Sequence, residues 1–257
     1  MKIVVLGATG TIGAKITEHL QTTGHEVVQA SRSRGVDAAT GEGLHDAFTG
    51  ANAVIDCLNI ETLSEKKAVR FFSKTSHNVV RVARRTGLTH VLCVGIAGAA
   101  DPKVNAANGY YKGKAVQEKI YQASGLPVTV IHSTQWFELI DNLVRRASVG
   151  PVTLLPTMRM APVAADSVAR LVADCAVADP PSGVQRVAIR GPEITTGVDM
   201  AQAILAAHGR VGGRRPRILK QVPFLGKATA TGGLIPQDTI VDDITLEAWL
   251  GMASSPT

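Results

Sequence analysis

The sequence predicts an α/β fold, a doubly wound parallel sheet with a small C-terminal cap subdomain, on three observations. Short apolar runs at residues 3–6, 53–59, 90–96 and 128–131 alternate with longer helical patterns at 12–20, 64–86 and 110–124. Strands alternating with helices imply right-handed crossovers and a parallel sheet. The first apolar run leads at once into a glycine-rich turn. From about residue 150 the pattern changes, as Pro151, Pro156, Pro162, Pro180 and Pro181 divide the chain into short pieces. Residues 1–150 are therefore expected to form the main nucleotide-binding unit. Residues 151–257 are expected to form a small cap that packs over the sheet and partly returns to it.

The turn is Gly7-Ala8-Thr9-Gly10-Thr11-Ile12-Gly13, set between the strand at 3–6 and a helix that includes Ile12, Ile16 and Leu20. In that setting the spacing points to a dinucleotide site of the Rossmann type. Gly7 allows the sharp turn, Gly10 lets a diphosphate approach the backbone, and Gly13 lets the helix pack on the sheet. The helix start presents free N–H groups and a positive dipole end to the anion. Thr9, Thr11 and Ile12 belong to the same cradle.

Residues 26–31 read as the second strand. It ends in Ser31-Arg32-Ser33-Arg34, where an enzyme preferring NAD carries an acid for the ribose 2′-hydroxyl. Arginine matches a phosphate in bidentate geometry. Ser31, Arg32 and Arg34 are therefore expected to bind the 2′-phosphate of NADP(H). Residues 36–38 are expected to form a third strand, with Asp37 near the adenine, followed by a short helix at 44–48. The strand at 53–59 brings Leu58 and Asn59 to the carboxyl edge of the sheet, beside the cofactor. The helix at 64–86 has Arg81, Arg84 and Arg85 on its wet face and Gly87 as its cap. Residues 90–96 read as a buried parallel strand, residues 97–108 as a loop, 110–124 as a helix and 128–131 as a strand. Further on, helices are expected at 166–178, 198–207 and 244–250, and a strand at 184–190.

Tyr110 and Lys114 lie four residues apart and so share a helix face. A phenol can pass the proton that accompanies hydride transfer to a carbonyl, and a nearby ammonium lowers the phenol pKa and holds the nicotinamide ribose. Tyr111 is a competing phenol. His132 adjoins a buried run and reads as a hydrogen-bonded structural residue. Thr134, Trp136 and Phe137 follow the strand at 128–131 and are expected with Ile96 to wall an apolar pocket, with Met158 and Met160 near its mouth.

These motifs resemble the short-chain dehydrogenase/reductase superfamily and, within it, the atypical NmrA-like NAD(P)-binding group. The resemblance rests on the glycine turn, on Tyr110-Tyr111-Lys112-Gly113-Lys114 with Glu118, on Ser124-Gly125-Leu126-Pro127 and on Thr134-Gln135-Trp136-Phe137. It continues in the run from Pro162 to Ala169 and in Gly191-Pro192-Glu193. It implies a Rossmann domain, bound NADP(H) and a C-terminal pocket, but no single reaction, because such proteins include reductases, isomerases and redox-sensing regulators. One departure stands out. Superfamily reductases usually place a carbonyl-polarising serine where this chain has Gly95, a position beside the nicotinamide.

The 257 residues are 45% hydrophobic and 19% charged, as in a soluble globular protein. No apolar run approaches the ~20 residues that span a bilayer, so no membrane partner is expected. Met1-Lys2 leads straight into a strand, without a signal peptide, and a cytoplasmic location is expected. Cys57, Cys93 and Cys175 lack metal-site spacing and read as reduced core residues, so no metal is expected. The net charge is +6, and Arg210, Arg214, Arg215, Arg217 and Lys220 form one basic stretch. Glycines and Pro216 interrupt that stretch and no aromatic residue interleaves for base stacking; it reads as a solvated loop, with no nucleic-acid partner. The sequence therefore points to an NADP(H)-dependent oxidoreductase acting on a C=O, C=N or activated C=C bond of a small, fairly apolar metabolite, as a monomer or homodimer. The alternatives are a non-catalytic redox sensor and an isomerase or lyase that uses the nucleotide structurally.

Overall fold

The computed structural model describes residues 1–253. In chain order the elements are β1 (Lys2–Leu6), α1 (Thr11–Thr22), β2 (Glu26–Ala30), α2 (Leu44–Phe48), β3 (Ala53–Asp56), α3 (Glu65–Thr86), β4 (His90–Ile96), α4 (Pro102–Asn105), α5 (Gly109–Gln122) and β5 (Val128–Ser133). Then come α6 (Leu139–Ala147), β6 (Ser148–Val149), β7 (Val152–Pro156), β8 (Arg159–Met160), α7 (Ala165–Val177), β9 (Val184–Arg190) and β10 (Thr195–Thr196). The chain closes with α8 (Gly197–His208), β11 (Ile218–Val222), α9 (Gly226–Ala230), β12 (Ile240–Val241) and α10 (Leu246–Ala253).

The main sheet has seven strands in the order β12-β9-β5-β4-β3-β1-β2, all parallel. Strand side chains alternate between faces. Ile3, Val5, Ile55, Leu92 and Ile131 therefore pack under α1 and α7, against Ile16, Leu20, Val168 and Val172. Val4, Leu6, Val54, Val91 and Val130 face the opposite layer and meet Val79, Val82 and Tyr121 of α3 and α5. A third core lies off the sheet, where Phe137, Ile140, Leu155, Met158, Met160, Met200 and Ile204 pack together. A three-stranded sheet, β11-β7-β6, and a short β10-β8 pair frame it. Three later elements, α7, β9 and β12, are built into the main sheet and its α1 layer.

Two expectations are corrected. Residues 36–38 form no strand. Arg32–Arg34 wind one 3₁₀ turn, Gly35 takes φ +77°, and the Asp37 carboxylate accepts the Ala39 N–H at 2.7 Å. That local bond competes with a ladder, so only an antiparallel bridge between Asp37 and Glu42 remains, and β2 is the sheet edge. The expected loop at 97–108 contains α4, which starts with Pro102 and is capped by Asp101 through the Lys103 N–H at 2.8 Å. Proline is pre-organised for a first helical position. Among the described residues no helix is long and apolar enough to cross a membrane.

Candidate functional site

Gly7 leaves β1 with φ +77°. Its N–H is donated to Ala30 and its carbonyl accepts from Gly10, both at 2.9 Å. A Cβ at Gly13 would lie 2.3 Å from the Gly7 carbonyl oxygen, so only glycine lets α1 sit this close to the turn. The helix begins after Gly10, which offers no side-chain cap, and its first turn carries no acid. Its leading N–H groups, at Thr11 and Ile12, have no intrahelical acceptors. Thr9 and Thr11 are exposed, while Ile12 is buried and anchors the helix in the core.

Thr9 also lines an open hollow of about 510 Å³ with Ser31, Arg32 and Ser33. The turn after β2 thus shares one space with the glycine turn. The Ser31 and Ser33 hydroxyls are 3.0 Å apart, and Arg32 and Arg34 are exposed. Asp37 is half-buried and serves the 37–42 turn. Leu58 is half-buried against the second core, its N–H donated to Asp56 at 2.9 Å.

Asn108 caps α5 through the Tyr110 N–H at 3.0 Å. One turn on, the side chains of Tyr110 and Lys114 diverge. The Tyr110 hydroxyl donates to Asn59 Oδ1 at 2.9 Å. Burial, with the nearby Tyr111 phenol and Glu61 carboxylate, pushes the Tyr110 phenol well above its ordinary pKa. The expected lowering by Lys114 is not found. Burial also raises Tyr111, to about 12. Lys114 is turned inward and is only 6% exposed. Its ammonium donates to the Val94 carbonyl at 2.7 Å and to Gln117 Oε1, and lies 4.9 Å from the centre of the Phe72 ring. Gln117 in turn donates to Asp56 Oδ2 at 2.8 Å, as does the Tyr121 hydroxyl at 2.5 Å. Asp56, Gln117 and Tyr121 are fully buried. Sequence reasoning passed over all three. An aspartate inside an apolar strand and a glutamine three residues beyond Lys114 were the available signals.

Gly95 is crowded on its side-chain side. A Cβ there would meet the His132 ring at 3.1 Å. His132 Nε2 is bonded to Glu118 Oε2 at 2.9 Å, and Arg186 approaches the other carboxylate oxygen at 3.7 Å. Burial works to raise the Glu118 pKa, but the His132 bond and charge, with Arg186 and Gln122, outweigh it and hold the carboxyl below its ordinary value. Ile96 and Tyr110 lie half-buried against the third core, which contains Phe137 and Met158. Phe137 is stacked on Trp249 with centroids 5.4 Å apart. Thr134 is buried, its hydroxyl donated to the Ala161 carbonyl at 2.6 Å, and Trp136 packs on the first core with its indole N–H on Ser133 at 3.0 Å. The structure thus places Phe137 in the third core with Ile96 and Tyr110 packed against that core, packs Trp136 on the first core and buries Thr134 against Ala161.

The family model for NAD(P)H-binding proteins matches residues 7–179, from the glycine turn through α7. The chain belongs to the NAD(P)H-binding family. No curated protein matches its sequence. Solved structures of similar fold include a nucleoside-diphosphate-sugar epimerase from Staphylococcus aureus, 18% identical, with a TM-score of 0.68 over 97% of this chain and 99% of that one. The UDP-glucose 4-epimerase of Thermus thermophilus, in complex with NAD, is also 18% identical, with a TM-score of 0.67 over 100% and 94% of the two chains. A short-chain dehydrogenase/reductase superfamily protein from Agrobacterium tumefaciens with bound NAD is 15% identical, with a TM-score of 0.68 over 98% and 96%. At these identities the likeness is one of fold, and the fold of this NAD(P)H-binding protein is that of the superfamily.

Proposed function

We propose that the protein is an NADP(H)-dependent oxidoreductase that reduces, or oxidises in reverse, a C=O, C=N or activated C=C bond of a small, fairly apolar metabolite. The observation that carries the reading is the hollow shared by Thr9 of the glycine turn and Ser31, Arg32 and Ser33 beyond β2. The residues fit a phosphorylated dinucleotide. The uncapped start of α1 suits the diphosphate. The exposed guanidiniums of Arg32 and Arg34 suit a third phosphoryl group, with no acid on the 3₁₀ turn to select a free 2′-hydroxyl. When bound, a nicotinamide supplies or accepts the hydride.

The chain's own residues then have separate tasks. The Tyr110 phenol is protonated at neutral pH, the form that can donate a proton to a developing alkoxide. To do so it leaves Asn59, which would otherwise hold the hydroxyl in place. Ile96 and Tyr110, half-buried against the third core, supply apolar surface beside the carboxyl edge of β4.

The test is comparative binding. Wild-type protein should bind NADPH more tightly than NADH, and Arg32→Ala should weaken NADPH by about tenfold or more, the size of a lost hydrogen bond to a charged group, while leaving NADH unchanged. Equal dissociation constants for the two nucleotides would remove the NADP(H) assignment.

The crowding at Gly95 supports a second reading, a redox sensor that binds the nucleotide without turnover. The imidazole of His132, held by Glu118, stands beside the place where a polarising hydroxyl would sit. Steady NADPH oxidation with any small carbonyl or quinone, well above background, would exclude the sensor.

A further inference from the structure

We infer that Asp56 and Gln117 are positioning residues that set the Lys114 ammonium for the nicotinamide half of the nucleotide; this rests on the nucleotide reading above. Asp56 is wholly buried yet satisfied by three donors: Tyr121 Oη at 2.5 Å, Gln117 Nε2 at 2.8 Å and Leu58 N at 2.9 Å. A buried carboxylate without a counter-charge is costly. Its counter-charge is Lys114, reached through one amide. Gln117 donates with its nitrogen to Asp56 and accepts with its oxygen from Lys114. That amide has only one workable orientation, because a flip would set its NH₂ against the ammonium and its oxygen against the carboxylate.

The amide also fixes where Lys114 ends. Two acceptors, the Val94 carbonyl and Gln117 Oε1, take two of its three protons. The Phe72 ring closes another side. Val94 directly precedes Gly95 near the carboxyl end of β4, so the ammonium is held close to the sheet edge at which the nucleotide reading places the nicotinamide ribose. The same short segment serves the rest of the site. Asn59 holds Tyr110, and the Cys57 carbonyl oxygen lies 3.1 Å from where a Gly7 Cβ would be. The end of β3 therefore touches the glycine turn on one side and grips Tyr110 and Lys114 of α5 on the other.

The experiment compares NADPH with its adenosine half, adenosine 2′,5′-bisphosphate, using the full chain. Binding is followed by tryptophan emission and calorimetry, and folding by circular-dichroism melting. Gln117→Leu and Asp56→Asn should each weaken NADPH by about tenfold or more, while the bisphosphate stays within about twofold. The double variant Asp56→Asn with Gln117→Glu moves the carboxylate next to Lys114 and should recover NADPH affinity to within about threefold. That recovery, and the split between the two ligands, would not arise from a merely structural role. Unchanged NADPH affinity in Gln117→Leu would overturn the inference, and so would equal weakening of both ligands. A wild-type chain that fails to bind the bisphosphate would instead sink the nucleotide reading itself.

Discussion

Tyr110 keeps its proton more firmly than a free phenol because burial penalises the phenolate, and the neighbouring Tyr111 and Glu61 add to that penalty. The phenol is therefore protonated at neutral pH, as an ordinary tyrosine is, and the shift by itself makes it a weaker proton donor. Tyr110→Phe removes the proton and leaves the ring against Phe72, 5.9 Å between centroids. Turnover of NADPH with an accepted substrate should fall by about 10²–10⁴-fold, with NADPH affinity unchanged by titration. A Phe variant of full activity would move the proton-donor role to another group, with Tyr111 the first to test. The Tyr110–Lys114 spacing was legible from the chain, but the inward course of Lys114 was not. Spacing puts two side chains on one face of a helix; the destination of a long flexible side chain depends on acceptors from other strands, here Val94 and, through Gln117, Asp56.

The glycine turn belongs to the scale of the element. β1, the turn and α1 form one unit whose geometry depends on the absence of a Cβ at Gly13, where the Gly7 carbonyl would lie 2.3 Å away. That neighbour is backbone, not the end of a flexible side chain, so the chain itself must move to make room. Gly13→Ala should lift the start of α1, lower stability by about 1–3 kcal/mol, as overpacking does, and weaken both NADPH and NADH. Calorimetry on the folded variant checks this, and wild-type affinity for both nucleotides would show that the close approach is not needed. This element was readable from the sequence because its signals are local: an apolar run, fixed glycine offsets and a helical period. The turn beyond β2 was only half readable. Arg32 and Arg34 do follow the strand on an exposed turn, but the strand expected at 36–38 gave way to the local bond from Ala39 to Asp37.

Across the whole molecule, histidine–carboxylate bonds join separate elements. His19 of α1 meets Asp166 of α7 at 3.0 Å, and Glu118 of α5 meets His132 of β5 at 2.9 Å with Arg186 of β9 nearby. The Glu118 carboxyl is held below its ordinary value of 4.5. Its contribution to stability is therefore complete above about pH 4.5 and drains away as pH falls through the lower folded-state value. Melting temperature followed from pH 7 downward should drop more steeply in wild-type protein than in Glu118→Gln, the two curves converging at the acid end. Parallel curves would show that the pair adds nothing to acid stability. His132 read from the sequence as a hydrogen-bonded structural residue, and its bond to Glu118 gives it a named partner, although the two are 14 residues apart and lie on different elements.

The sequence by itself determined the alternation of β1 to β5 with α1, α2, α3 and α5, the glycine turn and where Arg32, Tyr110 and Lys114 stand in the chain, because each of these is written in spacing over a few residues. Only the tertiary structure decided which side chains meet. It returned β9 and β12 to the main sheet, put Trp136 and Phe137 into different cores, set His132 beside Gly95 and buried Asp56 against Gln117 and Tyr121. The physical reason is that hydrogen bonds and packing act through space over a few ångströms, whereas groups that they join, such as Asp56 and Gln117, are separated by 61 residues of chain.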